Sequence, residues 1–200
     1  MLAQDIQQSI LKHVSPDPLP QRFGELFLQH CNERMLAELT PQQLGRLLES
    51  RFRFFSEALS SSIQVRVAAP RDEDGMSGRL LVDVVCRDAP YSVITVDSVL
   101  RQFGLRVVRR LHPMISVQRD AQGNLTGLGR VEPDAEVYDV MSIELEANDD
   151  RELLRNLHLS LQRHLLAVRL ASQGQARVQQ RMQDAETALG EGSEELRDLL

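Results

Sequence analysis

Between Leu80 and Val85 the chain reads LLVDVV, apolar at every position except Asp83. A strand with one wet face alternates apolar and polar residues, whereas a strand covered on both faces reads as an unbroken apolar run. The run therefore predicts a central strand and rules out a sheet that is open to water on one side. An Asp88-Ala89-Pro90 turn signal follows. Val93, Val96, Leu100 and Phe103 then form one helical face, and Gly104 is placed to end that helix in a left-handed conformation.

Upstream, the first 60 residues read as helical. Leu2, Ile6, Ile10 and Val14 recur at helical spacing, and Ser15 to Pro20 breaks the pattern. A second helix is predicted from Phe23 to Asn32. The third has the clearest start: Thr40 as N-cap, Pro41 at the first helical position, and Gln43 closing a capping box. Leu44, Leu48, Phe52, Phe55 and Leu59 form its buried stripe, with Arg51 and Arg53 read as arginines that keep their heads in water. Ile63, Val65, Val67 and Ala69 alternate as a half-buried strand, and Pro70 to Gly78 is a polar loop.

Downstream, Leu105 to Gln118 reads as a long strand broken at His112-Pro113, because proline cannot donate to a ladder and marks an edge or bulge. Alternation places Arg106, Val108, Arg110 and His112 on one face, read as solvated or paired with another domain. Leu105, Val107 and Leu111 lie opposite, with Arg109 among them. A buried Arg109 needs an acid, which Glu144 or Asp83 is placed to supply. Arg119 to Asn124 is a turn, Leu125 to Val131 pairs back, and Val137 to Leu145 is the last strand. Asn148 or Asp149 caps a helix with the seam Leu154, Leu157, Leu161, Leu165 and Val168. Gly174 is expected to interrupt it before a polar end segment.

The chemistry is sparse. A net charge of −6 argues against a nucleic-acid partner, which needs a basic surface. No apolar run approaches the roughly 20 residues needed to cross a bilayer, and no secretory signal is seen, so no membrane partner and a cytoplasmic location are expected. Cys31 and Cys86 read as reduced thiols. No nucleotide-binding, nucleophile-elbow or metal-ligand spacing occurs; His158 and His164, six apart, do not share a helix face. No catalytic residue and no metal ligand is assigned. The candidate ligand site is the turn of Asp88, Ala89, Pro90, Tyr91 and Ser92. There backbone N–H groups at a helix start, and the helix dipole, favour a carboxylate such as that of an amino acid.

Several motifs, in order, resemble the N-terminal region of the large bacterial NAD-dependent glutamate dehydrogenases. They are Leu39 to Leu44, Ser50 to Phe54, Pro90-Tyr91, Asp97-Ser98-Val99, Gly104-Leu105, His112-Pro113-Met114, Arg119-Asp120-Ala121-Gln122-Gly123, Tyr138 to Leu145 and Ala167-Val168-Arg169. The interval Ser92 to Val96 is longer than that family's, which implies a remodelled turn. The resemblance implies an α+β fold with an ACT-like, ferredoxin-type, mainly antiparallel sheet and two helices on one face, preceded by a small helical subdomain. The implied division is 1–60 helical, 61–173 ACT-like, and 174–200 a polar helical tail leading to the rest of an enzyme. It implies a non-catalytic regulatory or assembly role, with downstream domains of the same polypeptide as partners, in a homo-oligomer with an amino-acid effector. NAD would be the cofactor of the parent enzyme, with none in this region. The rival is a stand-alone ACT-like binding module. The ACT order βαββαβ ends in a strand, but here a helix ends the pattern. Ile63 to Ala69 is therefore predicted to take the vacant place in the sheet.

Overall fold

The computed structural model describes residues 4–31, 38–61, 63–69, 78–133, 135–146, 148 and 150–198. In chain order these form α1 (Gln4–Leu11), α2 (Pro18–Leu28), α3 (Pro41–Ala58), β1 (Ile63–Ala68), β2 (Arg79–Arg87) and α4 (Ser92–Gln102). Then come β3 (Val107–Leu111), β4 (Met114–Arg119), β5 (Leu125–Gly129), β6 (Glu136–Glu146) and α5 (Arg151–Asp198). The sheet is antiparallel, in the order β1-β2-β6-β4-β5, with β3 also paired to β6. β2 and β6 lie inside it, the place that the apolar run of β2 predicts for that strand. β1 lies beside β2, with Ile63 opposite Cys86 and Ala68 opposite Leu81. A strand from the N-terminal side thus fills the sheet position that ACT order gives to the strand after the second helix.

Each face of the sheet has its own core. Leu80, Val82, Val84, Met141, Ile143 and Leu145 pack with Val96, Val99 and Leu100 of α4 and with Leu157, Leu161 and Leu165 of α5. On the other face Leu81, Val85, Ile115, Tyr138 and Val140 share a cluster with Phe23, Phe27, Leu48, Phe54 and Phe55 of α2 and α3. Phe23 touches Phe27, Phe52 and Phe55, with ring centroids 5.4–5.7 Å apart. Burying each of these rings contributes about 1.5–3 kcal/mol. The N-terminal helices therefore cover the second face of the sheet, which the apolar run of β2 demands.

The Thr40 capping box forms as expected: its hydroxyl accepts from the Gln43 amide, and the Gln43 side chain accepts from the Thr40 amide. α3 also needs Gly45. A Cβ there would lie 2.5 Å from His13 Cβ and 2.8 Å from the His13 carbonyl oxygen. Gly104 ends α4 at φ 66°.

Several local expectations are corrected. α2 starts at Pro18, because proline lacks only an N–H that the first turn does not use. The predicted end of α2 at Asn32, the Pro70 to Gly78 loop up to residue 77, Leu2 and Asp149 lie outside the described residues. Asp150 caps α5 instead of Asn148, its carboxylate accepting from the amides of Glu152 and Leu153 at 2.9 and 3.1 Å. α5 runs through Gly174 without a break, since one glycine costs a long helix only about 1 kcal/mol. A register shift between Val107 and Arg109 breaks the alternation of β3. Arg110, opposite Ile143, is not solvated, because α4 covers that face of the sheet: it pairs with Asp97 of α4. Arg109, by contrast, meets Glu144 as expected, 3.6 Å away, and pairs with Glu38 as well. Arg51 does not reach water either. It is 5% exposed and donates from Nε to Ser142 Oγ at 2.8 Å.

Candidate functional site

β2 delivers the chain to the turn at Asp88. The Asp88 amide donates to the Val137 carbonyl at 2.9 Å, which ties the turn to the start of β6. Tyr91 is left-handed at φ 72°, the one such non-glycine residue among those described, and its ring is 67% exposed. Sequence reading missed this conformation, because a tyrosine carries no signal for positive φ. Tyr91 is the N-cap of α4, yet its side chain makes no capping bond. Ser92 compensates from inside. It is 3% exposed and donates both its amide, at 3.3 Å, and its hydroxyl, at 2.8 Å, to the Ala89 carbonyl.

The turn residues Asp88, Ala89, Pro90, Tyr91 and Ser92 are therefore contiguous in space, but two of their amides already have partners in the chain. The Asp88 and Ser92 N–H groups serve Val137 and Ala89. The exposed surface of the turn is the Tyr91 ring with the side chains of Asp88 and Pro90. Burial pushes the Asp88 carboxyl above the usual carboxylate range, the negative charge of Asp139 pushes it the same way, and His112 pulls it back.

Asp139 and His112 stand behind the turn, and sequence reading did not bring them together. Asp139 lies on β6, opposite Cys86 on one side and Met114 on the other. It is 2% exposed and bonds His112 Nε2 at 2.9 Å. The available signal was Asp139 itself, an acid between Tyr138 and Val140 in a strand candidate, which cannot stay buried without a partner. The break at His112-Pro113 puts the imidazole in reach. Burial, with Asp139 beside it, raises the Cys86 thiol to about 12 despite a bond from Ser92, and burial raises Cys31 to about 11. Neither thiol ionises at neutral pH, so neither is equipped as a nucleophile.

Among the described residues no group of three or more His, Cys, Asp or Glu side chains is arranged to hold a metal ion. Among the same residues no helix is long and apolar enough to cross a membrane. The arrangement combines a rigid double-covered sheet, an exposed aromatic turn and a buried acid–histidine pair.

The family model described as glutamate dehydrogenase, ACT1 domain, matches residues 23–161. No curated protein and no solved structure matches the chain. The matched range opens within α2, takes in all six strands and α4, and closes in the packed part of α5. It covers more than half of the 200 residues and coincides with the double-covered sheet, so the chain belongs to the glutamate dehydrogenase ACT1 domain family.

Proposed function

We propose that this chain is a non-catalytic regulatory and assembly domain of a large NAD-dependent glutamate dehydrogenase. The parent reaction would convert L-glutamate, NAD and water to 2-oxoglutarate, ammonia and NADH. NAD and the reacting groups would belong to other domains of that polypeptide, and the enzyme would act in the cytoplasm as a homo-oligomer. The observation that carries this reading is the family match over the whole sheet, in a region whose two thiols are buried and held protonated.

The effector reading rests on the Asp88–Ser92 turn. Tyr91 offers an exposed ring at a helix start, and Asp88 offers an acid that can meet an ammonium group. An amino acid is the ligand that suits both ends.

Calorimetric titration of the chain with a panel of amino acids, glutamate and aspartate included, tests the reading. Saturable heat that disappears in a folded Asp88→Ala variant makes the turn a sensor. Unchanged affinity in that variant removes the turn from consideration, and no heat with any amino acid leaves assembly as the role. NAD-dependent glutamate oxidation by the chain alone would refute the whole proposal.

A further inference from the structure

A second concavity lies on the far side of His112, where the end of α2 faces the β3–β4 junction and the residues after β5. It encloses about 290 Å³, near the lower end of the range for small-molecule sites, roughly 300–1,000 Å³. Gln29 and His30 come from the turn that follows α2, His112 and Met114 from the junction, and Arg130 and Val131 from beyond β5. The walls mix three nitrogen bases with apolar side chains. Among the residues that line the cleft none is a carboxylate. In a chain of net charge −6 that is a local reversal of sign.

The polar groups are held in place from behind. Arg130 Nη2 donates to Gln29 Oε1 at 3.2 Å, and its carbonyl accepts from Ser116 Oγ at 2.7 Å. Asp139 orients the His112 ring through Nε2. On α2 the nearest acid, Glu25, is already paired with Arg22.

We propose that this cleft binds a small carboxylic acid that lacks an amino group, its carboxylate held by Arg130 with His30 and His112, and its carbon stem against Met114 and Val131. Arginine suits the acceptor because its planar fork matches a carboxylate. The missing acid wall excludes an ammonium group, so a free amino acid is the wrong ligand here. The site goes beyond the effector reading of the Asp88 turn and does not depend on it.

Histidine chemistry supplies a signature. Burial lowers the pKa of His30, and the neighbouring His112 lowers it further. The charged groups facing the pair are Arg130 across the cleft, Asp139 behind His112, and Asp88 beyond it. A bound anion favours the imidazolium form, so binding raises the His30 pKa and takes up a proton. Affinity therefore rises as pH falls.

The test is a succinate titration of the 200-residue chain, followed by the imidazole signals of His30 and His112, with glycine and inorganic phosphate as comparison probes. Saturable shifts with succinate are expected, with glycine weaker. Affinity should be several-fold higher near about pH 6 than near about pH 8, and about tenfold lower in Arg130→Gln. Arg130 and His30 are exposed, so Arg130→Gln and a second variant, His30→Gln, should fold, which a thermal melt confirms. No saturable shift up to about 20 mM, a dissociation constant too weak to matter, overturns the site. Unchanged affinity in both variants also overturns it. Phosphate binding as tightly as succinate, or glycine doing so, overturns the carboxylic-acid assignment. The readout is binding alone, so a failure here leaves the regulatory reading standing, and an absent effect on glutamate oxidation would count only against that reading.

Discussion

Replacing Asp83 with alanine should be among the most damaging single changes in the sheet. Arg66 of β1, Asp83 of β2 and Ser142 of β6 lie in register across three strands, and Arg51 reaches down to them from α3. Asp83 accepts from Arg66 Nε and Nη2 at 3.0 and 2.7 Å and from Ser142 Oγ at 2.7 Å, with Arg51 Nε 3.6 Å away. The Arg51 side chain is 6% exposed and that of Arg66 32%. Asp83→Ala leaves the Arg51 guanidinium buried with no counter-charge, a change that costs about 3–5 kcal/mol. At roughly 2–4 °C per kcal/mol for a chain of this size, the melting temperature should fall by about 6–20 °C. Arg51→Met is milder, about 1–2 kcal/mol, because Asp83 keeps Arg66. That variant loses one hydrogen bond and the contact of the Arg51 guanidinium with the Phe27 ring, 5.3 Å away. The double variant Asp83→Ala, Arg51→Met should recover much of the loss, since Arg66 can turn to Ser50 Oγ and to water. Urea denaturation of the three variants measures all of this. A cost below about 1 kcal/mol for Asp83→Ala, or a double variant as unstable as the sum of its parts, would refute the argument.

Three further outcomes are expected. Gly45→Ala should destabilise α3 by about 1–3 kcal/mol, although glycine to alanine within a helix ordinarily stabilises, because His13 occupies the space the methyl needs; denaturant midpoints decide the sign. Asp88 should titrate above 3.8 by NMR. Its folded pKa lies above its unfolded one, so the folded state holds the proton more tightly, and stability falls as pH rises from 3.8 through the raised value; Asp88→Asn should flatten that part of the pH–stability curve. Cys31 and Cys86, held near 11 and 12, should resist a thiol reagent at about pH 8 until urea unfolds the chain. Reaction of either thiol in the folded protein would contradict its burial.

How much of this was legible beforehand differs from element to element. Thr40, Pro41 and Gln43 announced the start of α3 because capping is a matter of three or four adjacent residues. Gly104 announced the end of α4 for the same reason. The break at His112-Pro113 was visible because proline removes a donor wherever it stands. The candidate site was less legible. Its turn was found, but the left-handed Tyr91 and the double use of the Ala89 carbonyl by Ser92 were not. Those depend on how the turn is pulled against β6. The cleft at His30, His112 and Arg130 was invisible, since its walls lie 82 and 18 residues apart in the chain and belong to elements that meet only on folding.

Local order and the demand for cover came from the sequence alone. The run Leu80–Val85, apolar except at Asp83, required a central strand with a packed layer on each side, because such a strand has no face that tolerates water. Tertiary structure decided which layer goes where and which charges meet. Arg51 and Arg110 read as surface residues, yet each ends beside a carboxylate from another element, whereas Arg109 meets Glu144, one of the two acids expected for it. A buried guanidinium is tolerated only where an acid stands opposite it, and no pattern of neighbours along the chain shows which acid that will be.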